Sequence, residues 1–388
     1  MKKRTLATCC AVHTVHDGLQ DVSYVLLPLL AQSFGLSLAQ VGLIRGAHRT
    51  AMAAFQIPAG LIAERFGERN LLALGTAILG LAYLGLGFAP GFWAILVALF
   101  FAGLGSSVQH PLGSTIISRA YPAEGRRAAL GTYNFAGDVG KFAFGAVVSL
   151  LLLAGISWQA PVLGFGVAAL FTAGAVVLLV ARTAPARITG RGKENHGGWG
   201  IRDRQGFTVL CLIEILDSST RAGFLTFIAF LLIGGGLSQG WAASAVPLVF
   251  VGGMAGKLAC GLLAERLGVV RMIVITEVAT ACGIFAVLAL PAIAAFLLLP
   301  LLGIALQGTS SVLYATIGEF VEPERLPRTF GFFYTIGSIC GIVAPLGYGL
   351  LGDRFGVGAA IATMGVLILL TVPLAVLLKP RYAAAAQG

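Results

Sequence analysis

The chain has 388 residues, of which 57% are hydrophobic and 11% charged, with 53 glycines and a mean hydropathy of +0.91. A soluble domain is nearer half apolar and a quarter charged, so this composition excludes an ordinary soluble fold and points to a multi-pass membrane protein. A net charge of +10 could suit nucleic acid, but the placement of the basic residues described below excludes that partner.

Each helical span needs about 20 mostly apolar residues, which leaves room for roughly twelve. In chain order the first half predicts spans at 5–33, 39–63, 70–89, 92–120, 128–153 and 160–182. The apolar start runs on into further spans without a small-residue cleavage site, so a removed signal peptide is not expected. Span 1 contains "HTVHDGLQD" (13–21). Its His13, His16, Asp17, Gln20, Asp21 and Tyr24 recur at helical spacing and form one broad polar face. Span 2 places Arg45, His48, Arg49 and Gln56 at similar intervals, and span 4 carries Gln109 and His110 ahead of Pro111. Span 5 holds Asn134, Asp138 and Lys141, the last two close enough to pair within the helix.

Residues 183–205 are polar, basic and glycine-rich and read as a cytoplasmic linker. The second half predicts spans at 206–234, 240–264, 271–290, 292–319, 328–351 and 357–378. Span 7 carries Glu214, Asp217 and Arg221, span 8 Lys257, span 9 Glu277, and span 10 Ser310, Ser311 and Tyr314. Glu277 lies on a peripheral span of the arrangement described below, so a packing role is expected for it.

With the N-terminus in the cytoplasm, 20 of the 26 Lys and Arg residues fall in cytoplasmic segments and one, Arg354, outside. The other five, Arg45, Arg49, Lys141, Arg221 and Lys257, lie within spans. This asymmetry predicts an even number of spans with both termini inside a bacterial-type inner membrane. The basic charge therefore reflects topology. The six cysteines form no CxxC pair and mostly fall inside spans, so neither zinc nor disulfide chemistry is expected.

The halves repeat at an offset of 201: "GLIAERFGER" at 60 falls on "GLLAERLGVV" at 261, Pro122 on Pro323, Arg127 on Arg328 and His16 on Asp217. Parallel repeats of this kind predict an N-terminal bundle at 1–182 and a C-terminal bundle at 206–388, with substrate held between them near the midplane. "GLLGDRFG" at 349–356 is a third copy of the loop. In the first copy Gly60 allows close helix packing, Glu64 and Arg65 can pair with a neighbouring helix end in one conformation, and Gly67 permits a tight turn. Glu265 and Arg266 are the counterparts in the second copy.

This loop resembles the signature of the major facilitator superfamily, and the resemblance covers essentially the whole chain. It implies an all-α integral membrane fold of 12 transmembrane helices in two six-helix bundles. It also implies alternating access, with a cavity lined mainly by spans 1, 4, 7 and 10. Glu68 stands where a basic residue is usual. "HTVHDGLQDVSYVLLPLLAQSFGLSLAQVG" (13–42) and "GLGSSVQHPLGSTIISRA" (103–120) further resemble fosmidomycin-resistance-type exporters, which implies proton-driven efflux of small, often anionic compounds. Against efflux, "GTYNFAGDVGKFAFG" (131–145) lacks the proline that proton antiporters of the superfamily often carry in span 5.

Ionisable groups at membrane depth are costly and either face a polar cavity or pair with one another. Six acids (Asp17, Asp21, Asp138, Glu214, Asp217 and Glu277) against five fixed cations allow extensive pairing. Asp17 is the expected proton carrier, with Asp21, Asp138 and His16 as further candidates. Arg49 and Lys257, from opposite halves, are expected to clamp an anion, because guanidinium and ammonium groups suit carboxylate or phosphonate. Arg45, Lys141, Gln20, Tyr24, Gln109, His110, Asp217, Arg221 and Tyr314 complete the expected substrate lining. A metal site at His13, His16 and Asp17 is conceivable but not expected. No nucleophile–base set or phosphate loop is present, so no enzyme and no cofactor are expected. The expected function is proton-coupled secondary transport of a small organic anion by a monomer in the lipid bilayer. The direction is tilted to efflux by antiport, with uptake by symport as the alternative and a non-transporting sensor as a different class.

Overall fold

The computed structural model describes residues 2–121, 123–180, 200–322 and 326–385. Those residues are helical almost throughout, and no β-strand occurs among them beyond an isolated bridge between Ile201 and Val321. The helices are α1 (Lys2–Phe34), α2 (Leu38–Phe66), α3 (Glu68–Gly87), α4 (Phe92–Ser106), α5 (Gln109–Ala120), α6 (Ala123–Leu153) and α7 (Gln159–Leu179). They continue with α8 (Arg204–Gly234), α9 (Gln239–Ala243), α10 (Ala245–Leu267), α11 (Val269–Ala289), α12 (Ala292–Phe320), α13 (Leu326–Phe355), α14 (Val357–Leu369) and α15 (Thr371–Ala385). Of the predicted linker, residues 183–199 lie outside the described set, as do Pro122 and Pro323.

The fifteen helices among the described residues map onto the predicted spans because three spans are broken, each four or five residues before a proline. Spans 4, 8 and 12 break after Ser106, Ala243 and Leu369, next to Pro111, Pro247 and Pro373. A proline has no N–H and its ring crowds the carbonyl four residues back, so the ladder fails there. Those carbonyls belong to Ser107, Ala243 and Leu369. Helices α1, α2, α12 and α13 nevertheless stay continuous through Pro28, Pro58, Pro300 and Pro345.

Ten helical stretches among the described residues are long and apolar enough to cross a membrane. Helices α1 and α2, with 33 and 29 residues, are long enough but carry Asp17, Asp21, Arg45 and Arg49. Large apolar side chains such as Phe171, Leu178, Ile293 and Leu297 lie open on helix surfaces. Such exposure suits hydrocarbon, where a helix satisfies its own backbone hydrogen bonds and apolar side chains face the solvent.

Contacts group the chain into two units. Unit 1 comprises Met1–Leu36, Leu43–Gly192 and Gln239–Pro247; unit 2 comprises Ser37–Gly42, Lys193–Ser238 and Leu248–Gly388. In unit 1, Cys9, Val12, Leu72, Leu112, Ile117 and Tyr133 belong to a buried core. In unit 2, Leu210, Ile213, Met272, Ile273, Leu313 and Phe333 belong to another. Helices pack closely through glycine: a Cβ on Gly140 of α6 would collide with the Thr14 carbonyl of α1, the kind of backbone approach small residues allow in membranes.

All three copies of the loop motif turn on a glycine in the left-handed region. Gly67, Gly268 and Gly356 have φ of 80°, 86° and 87°, a conformation that costs any residue with a Cβ about 1–2 kcal/mol. Glu68, the departure from the family pattern, opens α3 and binds Arg119 at the end of α5, Nη1 to Oε1 at 2.6 Å. Arg65 and Arg266 are exposed, while the surroundings of Gly60 and the side chains of Glu64 and Glu265 lie outside the described set. In unit 2 the Asp353 carboxylate of the third copy accepts the N–H groups of Leu38 and Ala39 at 2.7 and 2.9 Å.

Candidate functional site

The polar face of α1 is buried along its whole length in unit 1: His13, His16, Asp17, Gln20, Asp21 and Tyr24 are each at most 7% exposed. Its residues do not act as one set, because neighbouring helices draw them in three directions.

Toward α6, Asp17 is surrounded by cationic or cation-forming groups. Its Oδ2 lies 3.2 Å from Lys141 Nζ and 3.2 Å from His13 Nε2, and its Oδ1 lies 3.6 Å from His110 Nε2. Lys141 also reaches Asp138 on its own helix at 3.1 Å. The intrahelical pair expected from spacing therefore forms, but its lysine is shared with α1. His13 Nδ1 lies 2.7 Å from the Tyr133 carbonyl. A carbonyl can only accept, so Nδ1 carries a proton and Nε2 faces the carboxylate. Gly137 makes room for the pair, since a Cβ there would lie 2.5 Å from His13 Nε2 and 2.7 Å from Asp17 Oδ2. Tyr133, which sequence reasoning missed, also exchanges hydrogen bonds with Gln109: Nε2 donates to its hydroxyl at 2.7 Å, and the hydroxyl donates to the Gln109 carbonyl at 3.2 Å. The available signal was its place four residues before Gly137 and eight before Lys141, on the same face of α6.

Toward α3, His16 Nε2 donates to Thr76 Oγ1 at 2.9 Å. The direction follows because the threonine hydroxyl is already donated to the Leu72 carbonyl at 2.7 Å. His16 thus joins a helix-packing bond rather than the Lys141 cluster.

Toward α2, Arg45 is held by four residues of α1. Its Nη2 lies 3.6 Å from Asp21, Nη1 donates to Ser23 Oγ at 2.6 Å and to the Gln20 carbonyl at 3.1 Å, and the guanidinium sits 3.7 Å from the Tyr24 ring centroid. Asp21, Gln20 and Tyr24 therefore serve Arg45. One turn further, Arg49 makes no ion pair among the described residues, and its Nε has no hydrogen-bond partner. Between the two arginines His48 is fully buried, with both ring nitrogens unpartnered.

His13, Asp17 and His110 place ligand atoms within 4.8 Å of one another. Lys141 shares the same carboxylate, and its fixed charge opposes a second cation at that point.

In unit 2, α8 carries the corresponding polar run. Arg221 Nη1 lies 3.1 Å from Asp217 Oδ2, Nη2 donates to Ser218 Oγ at 2.9 Å, and Ser218 donates to Glu214 Oε1 at 2.6 Å. Gly337 of α13 faces this carboxylate, and a Cβ there would lie 3.0 Å from Oε1. Tyr314 stacks on Tyr334 with centroids 4.8 Å apart and meets Phe333 edge-on at 5.4 Å. Lys257 is half-buried, and its carbonyl accepts from Ser311 at 3.2 Å.

Comparison with known proteins covers almost the whole chain. The Major Facilitator Superfamily family model matches residues 10–239 and 210–387. A probable 4-methylmuconolactone transporter of Cupriavidus pinatubonensis is 23% identical over 378 residues, covering 93% of this chain and 86% of that one. A gallate transporter of Pseudomonas putida is 25% identical over 392 residues, covering 92% and 85%. The chain spans about a third or less of the length of several other curated relatives it matches. A bacterial homologue of the human lysosomal transporter Spinster, solved inward-facing and occupied, superposes with a TM-score of 0.79 at 20% identity, covering 98% of this chain and 96% of that one. That last likeness concerns the fold. With its helices, its paired units and its matched family, the chain belongs to the major facilitator superfamily and is a multi-pass membrane transporter, not an enzyme.

Proposed function

We propose that the protein couples protons to the movement of a small organic anion, an aromatic or related carboxylate, across a bacterial inner membrane. The observation that carries the reading is Lys141 held between two carboxylates, Asp17 at 3.2 Å and Asp138 at 3.1 Å, in the same unit as Arg49, which makes no ion pair among the described residues. An anion arriving there competes with Asp17 for Lys141. Protonating Asp17 removes the competitor, so proton and anion favour each other's binding. Positive linkage of that kind yields symport, whereas antiport needs the two to displace one another.

The relatives reported above are named for gallate and a methylmuconolactone, which supports an organic anion and lends nothing to the fosmidomycin-resistance-type subgroup from which efflux was expected. In this reading Asp17 loads the proton, Asp138 keeps Lys141 in place, and Arg49 meets the anion first. The two bundles, 1–182 and 206–388, joined by the linker 183–205, exchange access within a monomer whose termini are cytoplasmic.

The test is flux into proteoliposomes under an imposed pH gradient, with radiolabelled gallate as probe and tetraphenylphosphonium as the cationic control. Gallate is expected to accumulate when the lumen is alkaline. Accumulation only with an acidic lumen would restore antiport, and movement of the cation alone would overturn the anion reading. Asp17→Asn is expected to abolish gradient-driven accumulation while leaving gallate counterflow.

A further inference from the structure

Glu277 sits on α11, on the face that packs inward between Ile273 and Ala281. It is 0% exposed, and neither carboxylate oxygen has a hydrogen-bond partner among the described residues. Among the described residues, charged groups that act on it include Asp217 foremost, then Arg221 and Glu214, all three on α8. From the other helices of unit 2, Tyr314 of α12 and Cys340 of α13 interact with this same α8 group, and Tyr334 of α13 with Glu214. Helix α14 and the described side chains of α15 bring no titratable group.

The internal repeat gives the arrangement a second, independent support. The offset of 201 that aligns the loop motifs sets Asp217 on His16 and Glu277 on Thr76. In unit 1 those two residues join α1 to α3 through a hydrogen bond of 2.9 Å. The same offset sets two carboxyl groups at the positions in unit 2 where unit 1 has an imidazole and a hydroxyl. Two carboxylates cannot bond to each other, but a carboxylic acid and a carboxylate can, through one shared proton. The charge count agrees, because Glu214, Asp217 and Glu277 share a single guanidinium, and a buried ion without compensation is the costliest thing a membrane interior can hold.

We infer that Asp217 and Glu277 form a proton-binding carboxyl pair across α8 and α11, and that this pair is a site of proton loading in the transport cycle. Loading takes one proton from water onto a Glu277 carboxylate oxygen, whose O–H then donates to Asp217; unloading returns that proton to water and leaves both groups anionic. Arg221, bonded to Asp217 at 3.1 Å, compensates one of the two charges in the unloaded state and makes release possible. The transport role rests on the proton-coupled reading above, but the existence of the pair does not.

Infrared spectroscopy of the whole protein in lipid nanodiscs tests the pair without any substrate or gradient. At neutral pH a C=O stretch of a protonated carboxyl group is expected, shifting on exchange into D2O. Glu277→Gln should remove that band, and Asp217→Asn should shift its frequency, because the carboxylate acceptor is replaced by an amide. Glu277→Thr, which installs the residue found at position 76, should remove it as well and serves if the glutamine variant does not fold. A wild type without the band, a band that survives both Glu277 substitutions, or one that Asp217→Asn leaves unshifted overturns the pair. In proteoliposomes that accumulate gallate, Glu277→Gln is expected to lower gradient-driven accumulation at least tenfold while sparing counterflow; unchanged accumulation overturns the loading role. A wild type that moves no gallate yet shows the band would sink the transport reading and leave the pair standing.

Discussion

Gly137 shows how a single missing side chain governs the chemistry of its neighbours. His13 and Asp17 meet 3.2 Å apart because α6 presents a hydrogen where any other residue would present a Cβ carbon. Gly137→Ala is expected to separate the pair, lower thermal stability by about 1–3 kcal/mol as overpacking does, and reduce proton-driven accumulation. Gly131→Ala, on the same helix with open space around its Cβ position, should change neither, and thermal denaturation with flux measurements on the two variants checks this. At this scale much was legible in the sequence. The Asp138–Lys141 and Asp217–Arg221 pairs follow from helical spacing and form at 3.1 Å each. His16 was not legible, because its part depends on Thr76, 60 residues away on another helix. Glu277 was hidden for a related reason: its span is peripheral in a list of helices, while its side chain points into the core of unit 2.

At the scale of elements, the ends of helices α3 and α5 are tied by Glu68 and Arg119. The glutamate is buried, but the arginine side chain is 43% exposed, so solvent screening limits the bond to roughly 1 kcal/mol. Reversing both charges in Glu68→Arg with Arg119→Glu is expected to recover most of the stability that either single reversal loses, as read by melting temperature in detergent. Failure of the double variant to recover would show that the residues act separately. The three broken spans belong to this scale too. Proline positions were plain in the sequence, but of the many prolines only those at 111, 247 and 373 open a break, whereas those at 28, 58, 300 and 345 are absorbed. Whether a helix tolerates a proline depends on what its freed carbonyl meets, and that lies in neighbouring helices.

For the whole molecule, orientation is the testable property. The distribution of basic residues predicts the loop at Asn70 inside and the loop at Ser157 outside, and both side chains are exposed. With the six native cysteines replaced by alanine, a cysteine at position 157 should react with an impermeant thiol reagent in intact cells. One at position 70 should react only after lysis, and the reverse pattern would invert the topology.

The number and order of the spans, the internal repeat and the tight turn at Gly67 were set by sequence alone. In hydrocarbon every span must satisfy its own backbone hydrogen bonds, so a span is a local object readable from about 20 consecutive residues. The partners of the buried charges were decided only by tertiary structure. Lys141 could have answered Asp138 alone, yet it also answers Asp17, and Arg45 could have met an anion, yet it is enclosed by Asp21, Ser23, Gln20 and Tyr24. Periodicity fixes which face of a helix a charge occupies, but the few ångströms that separate a paired charge from a free one are fixed by the rotation and depth of the helix opposite.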